Sequence, residues 1–352
     1  MPHIYVNGQL IHYKDHPAIG ESDAPLANGI FARETGWKPT IILSHGFGMD
    51  HEMWAHQIEP LTMAGWRVIT YDERGWGQTE TFNSALFTYW DLANDLICLA
   101  NELEIDHPVL GGMSQGGFIS MRAVLSGFPV SGLVLIDTEG AALSGPEVFL
   151  FDALFEQALE HGLDGEVGET LASMLFASEF DGTGPWRDKW SARPVEEWRA
   201  AKTCLLERDD IHQKLSSLSD HEILVVHGEF DAAIPVSRGK NMAKELFGLK
   251  SIPFGDGYLY RFQPQSAEEV LSGGYFQKIF YLVNGAGHTA NLEKPELVNP
   301  VLIDFLENIH GDPSLYKEMN FYSEADWDDL DRGKVIRQQE MMESIRRETE
   351  DQ

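Results

Sequence analysis

Apolar and polar positions change period repeatedly along the chain. Ile4-Tyr5-Val6 and Leu10-Ile11-His12-Tyr13 flank Asn7-Gly8, a dipeptide that tolerates the positive φ of a tight turn, so a β-hairpin is expected. Residues 14–38 are polar and read as a loop. From there, short apolar runs and helical stretches take turns. Thr40-Ile41-Ile42-Leu43-Ser44, Arg67 to Tyr71, Pro108-Val109-Leu110-Gly111, Leu133-Val134-Leu135-Ile136, Glu222-Ile223-Leu224-Val225-Val226 and Lys278-Ile279-Phe280-Tyr281-Leu282-Val283 read as strands. Between them Trp54, Ile58 and Leu61, then Leu92, Leu96, Leu99 and Leu103, then Phe118, Met121, Val124 and Leu125 recur at helical spacing. Such alternation predicts an α/β fold, a mostly parallel central β-sheet flanked by helices.

The alternation stops at Gly140. Up to Leu218 helical patterns dominate, carried by Phe149, Leu150, Leu154, Leu159, Leu171, Met174, Leu175 and Phe176. An insertion after a strand lies over the carboxyl ends of the sheet, so residues 141–217 are expected to form a helical cap above a core built from 1–140 and 218–310. Trp186, Trp190 and Trp198 fall in the cap; each reads as cap core before substrate contact, and together they favour an apolar substrate. Residues 254–274, with Gly255-Asp256-Gly257, Tyr258, Tyr260 and Phe262, suggest turns and a short hairpin at the rim. Residues 311–352 turn heavily charged and read as a helical tail whose sparse apolar stripe, Val335, Met342 and Ile345, could dock on the body or on a second subunit, suggesting a homodimer.

Candidate chemistry sits where strands end. Gly112-Met113-Ser114-Gln115-Gly116 is a Gly-x-Ser-x-Gly pentapeptide between a strand and a helix, the setting of a nucleophile elbow. The sharp turn strains the serine backbone and excludes side chains on either side, which Gly112 and Gly116 satisfy. A serine hydroxyl needs a base, and the base needs an acid to hold its tautomer. Asp231 follows the strand ending at Val226, and His288 follows Asn284-Gly285-Ala286-Gly287 after the strand ending at Val283. The order Ser114, Asp231, His288 suits such a triad, with Asp137 or Glu139, past the strand ending at Ile136, as alternative acids. His45-Gly46-Phe47-Gly48 follows the first buried strand, where the Phe47 N–H could join that of Gln115 in an oxyanion hole. Trp54 and Met113 join Trp186 and Trp190 as candidate pocket residues, with core packing at least as good a reading of Trp54.

These residues carry a resemblance. His45-Gly46-Phe47-Gly48, Tyr71-Asp72-Glu73-Arg74-Gly75-Trp76-Gly77, the elbow, Glu229-Phe230-Asp231 and Gly285-Ala286-Gly287-His288 together resemble the α/β-hydrolase superfamily over residues 35–310, in particular its serine carboxylesterases and lactonases. The resemblance implies hydrolysis of an ester or lactone with no metal or organic cofactor. Serine rather than aspartate at the elbow argues against the dehalogenases and epoxide hydrolases of the superfamily. It leaves carbon–carbon bond hydrolysis, cofactor-free perhydrolysis and a receptor-like binder as alternatives.

The chain has 352 residues, a formal net charge of -30 and two cysteines. Acidity of that size argues against nucleic acid and anionic membrane as partners. No run approaches a membrane span, and Met1-Pro2-His3-Ile4-Tyr5-Val6 lacks the pattern of a signal peptide, so a cytoplasmic location is expected. Cys98 and Cys204 lie far apart, without metal-type spacing, and read as buried small hydrophobes.

Overall fold

A computed structural model describes residues 2–19, 39–80, 86–163, 165–193, 198–249, 259–262, 276–307 and 309. The strands are β1 (His3–Val6), β2 (Gln9–His16), β3 (Thr40–Ser44), β4 (Arg67–Tyr71), β5 (Val109–Met113), β6 (Gly132–Ile136), β7 (Ile223–Gly228), β8 (Leu259–Phe262) and β9 (Lys278–Val283). They form one sheet in the order β1-β2-β4-β3-β5-β6-β7-β9-β8. Its middle, β4 to β9, is parallel, and antiparallel strands close both edges. Burial on both faces explains why β3, β5 and β6 read as unbroken apolar runs rather than as alternating ones.

The N-terminal hairpin turns at Asn7 and Gly8, with φ of 45° and 78°. Its second strand runs on to His16, although residues from 14 onward are polar. There Tyr13–His16 pair with Val68–Tyr71 of β4, and Arg67 clasps Asp15 through two hydrogen bonds. Backbone pairing with a buried strand outweighs side-chain polarity at this edge. Residues 20–38 of the expected loop lie outside the described residues.

The helices are α1 (Ala55–Met63), α2 (Tyr89–Glu102), α3 (Gln115–Leu125), α4 (Gly145–His161), α5 (Glu166–Leu175), α6 (Gly184–Ala192), α7 (Trp198–Leu206), α8 (Val236–Leu246), α9 (Ala290–Glu293) and α10 (Pro295–Glu307). Helix α2 starts at a capping box in which Thr88 and Asp91 satisfy each other's backbone N–H groups, then buries Leu92, Leu96 and Leu99. It packs against α3, while α1 packs against α10. Helices α4 to α7 all fall between β6 and β7, which are neighbours in the sheet. This helical excursion reaches back over the strand ends: Trp190 bonds to Gly48, Lys189 to Asp50 and Arg193 to Gly75.

Within residues 254–274, the described Leu259–Phe262 form β8, an edge strand on β9. The remainder of that segment and the whole of 311–352 lie outside the described residues. No helix among the described residues is long and apolar enough to cross a membrane. Cys98 and Cys204 are free thiols, Cys204 buried and Cys98 half-buried.

Candidate active site

Ser114 stands between β5 and α3 with φ 51° and ψ −114°, in the left-handed region that side-chain-bearing residues rarely occupy. Strain of that kind costs on the order of 1–3 kcal/mol and persists only where neighbours over-determine it. Here its N–H donates to the Ile136 carbonyl at 2.8 Å, and its carbonyl accepts from the Thr138 hydroxyl at 2.7 Å. The flanking glycines leave no room to relax. A Cβ on Gly112 would lie 2.1 Å from the Gly116 carbonyl oxygen, and one on Gly116 2.1 Å from that of Ser44. The strand-to-helix turn is thus wedged between β3 and its own first helical turn.

Three loops at the carboxyl ends of β5, β7 and β9 bring Ser114, Asp231 and His288 together across long sequence separations. His288 Nε2 lies 2.9 Å from Ser114 Oγ, and His288 Nδ1 lies 2.8 Å from Asp231 Oδ2. The other oxygen of Asp231 accepts the N–H groups of Ala233 and Ile234 at 3.0 and 2.7 Å. Bonded to a carboxylate at Nδ1, His288 carries its proton there and offers a lone pair at Nε2 to the serine. Burial alone would lower this imidazole, but the charge and hydrogen bond of Asp231, helped by the charge of Asp137, raise it above its ordinary value. Burial would raise Asp231, but His288 and His227 bring it down to about 2.

The other carboxylates considered as triad acids bond elsewhere. Glu139 is clamped by Arg208 at 2.6 Å and Arg238 at 3.0 Å. Asp137 accepts the backbone N–H groups of Gly228 and Ala290. The residue brought to His288 Nδ1 is Asp231.

Beside the serine runs the loop 45–48. A Cβ on Gly46 would lie 2.5 Å from the Met113 sulfur and 3.7 Å from Ser114 Cβ, so this loop touches the elbow directly. His45 holds it from below: its Nε2 accepts the Glu73 N–H at 3.0 Å, which puts the ring proton on Nδ1, facing the Gly46 carbonyl at 2.8 Å. Burial pushes this imidazole down, consistent with a neutral ring. Among the described residues, no protein acceptor engages the N–H groups of Phe47 and Gln115.

A family model described as the alpha/beta hydrolase fold matches residues 39–295. The chain belongs to the α/β-hydrolase family. A putative non-heme chloroperoxidase of Synechocystis is 24% identical over 82% of this chain and 98% of its own. A 3-oxoadipate enol-lactonase of Acinetobacter baylyi is 26% identical over 59% of this chain and 77% of its own. A thermophilic esterase from Thermogutta terrifontis superposes with a TM-score of 0.67 at 23% identity, over 88% of this chain and all of that one.

Two further residues of this hydrolase fold escaped the reading of the sequence. Glu73 and Tyr89 grip the Gln115 side chain: Gln115 donates its amide to Glu73 Oε2, and the Tyr89 hydroxyl donates to Gln115 Oε1 at 3.2 Å. Burial, reinforced by the charges of Asp72 and Asp95, lifts the Glu73 carboxyl well above its ordinary value despite the Gln115 bond. The detectable signal was a pair of adjacent acids, Asp72-Glu73, just past the end of a buried strand; what Glu73 would grip depended on where α3 begins.

The aromatic candidates divide. Trp54 is enclosed in the core at the end of a short 3-10 turn, His51–Trp54. Trp190 is also buried, yet its indole N–H donates to the Gly48 carbonyl at 2.6 Å, so it fastens the loop beside the serine. Trp186 is buried, with the Lys189 ammonium 4.4 Å above its ring. Trp198 and Trp76 meet edge to face at 5.0 Å, and the Phe47 ring packs on both and on Phe155. Trp76 and Trp198 of this cluster also wall a cleft of about 430 Å³, together with Gly48, His51, Lys189 and Trp190; Ser114, Asp231 and His288 do not line it.

Among the described residues two buried groups bring histidines and carboxylates together, His12-His51-Asp72 and Asp137-His227-Asp231. In each a carboxylate is fully used by the protein. Asp72 accepts the N–H and Nδ1 of His51 on one oxygen, and His12 Nδ1 and the Gln78 N–H on the other. Asp231 is equally saturated, since His227 Nε2 lies 3.2 Å from the oxygen that meets His288. A carboxylate offers about four lone-pair directions, and all are occupied in both.

Proposed function

We propose that the protein is a serine hydrolase that cleaves a carboxylic ester or lactone of a largely apolar small molecule through an acyl-enzyme. The observation that carries this reading is the unbroken relay from Ser114 Oγ to His288 to Asp231, with the serine held on a strained elbow against the loop 45–48. A Ser114 hydroxyl proton passes to His288 Nε2 as Oγ attacks the carbonyl carbon, and the former carbonyl oxygen takes up the negative charge. The N–H groups of Phe47 and Gln115 receive that oxyanion, a contribution of about 3–4 kcal/mol per donor in comparable sites. Asp231 stabilises the imidazolium and keeps Nδ1 protonated. The imidazolium then protonates the leaving alkoxide, the acyl group remains on Ser114, and water activated by His288 releases the acid and restores the hydroxyl. With a lactone, acid and alcohol leave as one molecule.

Helices α4 to α7 act in this reading as the cap, and the ring cluster of Phe47, Trp76, Trp198 and Phe155 gives the site an apolar, aromatic wall. The enol-lactonase and esterase likenesses support the reaction class. A second reading has support of its own, because the Synechocystis relative, similar over nearly its whole length, is named a putative non-heme chloroperoxidase. There hydrogen peroxide would replace water in the second step, turning the acyl-enzyme into a peracid.

A panel of p-nitrophenyl esters and lactones, with products followed by mass, separates these outcomes. Turnover in water that disappears in Ser114→Ala supports the hydrolase reading. Peracid formation from the same esters with added peroxide, at the expense of hydrolysis, supports the second. A wild-type protein inert to the panel, with Ser114 unlabelled by a fluorophosphonate, overturns both.

A further inference from the structure

Asp137 follows β6 with φ 47° and is fully buried. Its carboxylate spans two loops. Oδ1 accepts the N–H of Gly228 at 2.6 Å, and Oδ2 accepts that of Ala290 at 2.9 Å. Gly228 ends β7, three residues before Asp231, and Ala290 opens α9, two residues after His288. The loops meet here more closely than side chains permit: a Cβ on Gly228 would lie 1.9 Å from the Gly287 carbonyl oxygen. The Asp137 N–H, for its part, donates to Val226 at 2.9 Å, tying the carboxylate's own backbone to β7.

We infer that Asp137 is a positioning residue, whose carboxylate staples the acid loop to the histidine loop and so sets the distance between Asp231 and His288. This rests on the hydrolase reading of the same site. An aspartate suits the place because only a short side chain with two acceptor oxygens can meet two N–H donors from different loops at once. The left-handed backbone turns that side chain back across the strand ends, where any bulkier residue would pay in strain. His227 completes the surroundings: its Nε2–H faces the Ile234 carbonyl at 2.8 Å and Asp231, offsetting the two nearby carboxylates. The titratable groups that face His288 are therefore Asp231, Asp137 and His227, two that favour its protonated form and one that opposes it. Burial pushes Asp137 itself up, while His227 and the N–H groups it accepts pull the other way, toward the charged form.

Two variants of the full chain test the staple. Asp137→Asn loses one acceptor and the charge, whereas Asp137→Glu keeps the charge and displaces the oxygens by a methylene. Misplacement of this order costs roughly 10²-fold in comparable sites. Both variants are expected to lose kcat by on the order of 10²-fold on the best ester, with KM little changed. Only Asp137→Asn should move the acid limb of the kcat/KM profile to lower pH, because His288 loses a favourable charge. Near-normal turnover in a folded variant, or an acid limb that stays in place in Asp137→Asn, overturns the inference. Histidine titration by NMR in the Ser114→Ala background reads the same displacement without turnover: His288 should titrate lower once Asp137→Asn is added. If wild type has no Ser114-dependent activity, the hydrolase reading fails, while an unmoved His288 titration is what defeats the staple. Should Asp137→Asn not fold, Asp137→Glu carries the kinetic test.

Discussion

The elbow and the helical excursion above it are held in place by different means. Around Ser114 the contacts are backbone to backbone: Gly112 against Gly116, Gly116 against Ser44, Ser114 against Ile136. No side chain can be added there without moving a strand. The excursion reaches the same region through side-chain tips, the Trp190 indole on Gly48, the Lys189 ammonium on Asp50 and Glu52, and aromatic edges from Trp198 and Phe155. The backbone around Ser114 is therefore fixed by sterics that tolerate almost nothing, and the helices above it by contacts that can be exchanged one at a time.

The contrast can be broken first at the chemistry. Asp231→Asn should leave the fold intact and lower kcat by about 10⁴-fold, since an amide holds the wrong tautomer of His288. Its pH dependence has a definite sign. Turnover needs neutral His288, whose folded value lies above the ordinary 6.5, so wild-type kcat/KM should rise with pH through a midpoint above 6.5. Asp231 acts oppositely on stability: lowered to about 2, it stabilises the fold above its ordinary carboxylate range, and that contribution is lost as pH falls toward 2.

Next comes the backbone wedge. Gly116→Ala should cost about 1–3 kcal/mol, the usual scale for overpacking, and more if β3 cannot shift; urea unfolding would show it. Survival of Gly116→Ala at wild-type stability would mean that the elbow has slack. Trp190→Phe removes the five-membered ring of a buried indole and strands the buried Gly48 carbonyl, at about 1–3 kcal/mol for the carbonyl alone. Thermal melting should register that loss, while fluorophosphonate labelling of Ser114 persists. Smallest is Gly145→Ala, at the first turn of α4 where an added Cβ meets nothing within 4 Å. There the unfolded chain loses freedom and the folded one no space, so a gain of about 0.4–1 kcal/mol is expected.

What could be read from the sequence follows the same division. Gly112, Ser114 and Gly116 were legible because steric exclusion forces glycine at fixed spacing, and β3, β5, β7 and β9 because burial on both faces makes their centres runs of apolar residues. Asp231 and His288 could be placed by the strands they follow. The Asp137 contacts were not legible, since they depend on how closely β7 and α9 converge, and Asp137 looked like one of three acids at a strand end. Glu73 and Tyr89 were hidden for a related reason: their common partner, the Gln115 amide, is defined only once α3 docks. The polar end of β2 was misread as loop because pairing with Arg67–Tyr71, not side-chain pattern, makes it a strand. The tryptophans were visible as residues, but nothing in their spacing distinguishes Trp54, sealed in the core, from Trp190, in the excursion, whose indole reaches a loop.

The positive φ of Ser114 has a consequence for how the protein fails. A residue in that conformation is held there by its neighbours against its own preference, so a slight loosening of β3 or β6 lets it relax long before the sheet comes apart. Loss of Ser114 labelling by a fluorophosphonate under urea or heat should accordingly run ahead of the loss of far-ultraviolet circular dichroism, and this serine would serve as a built-in gauge of core tightness.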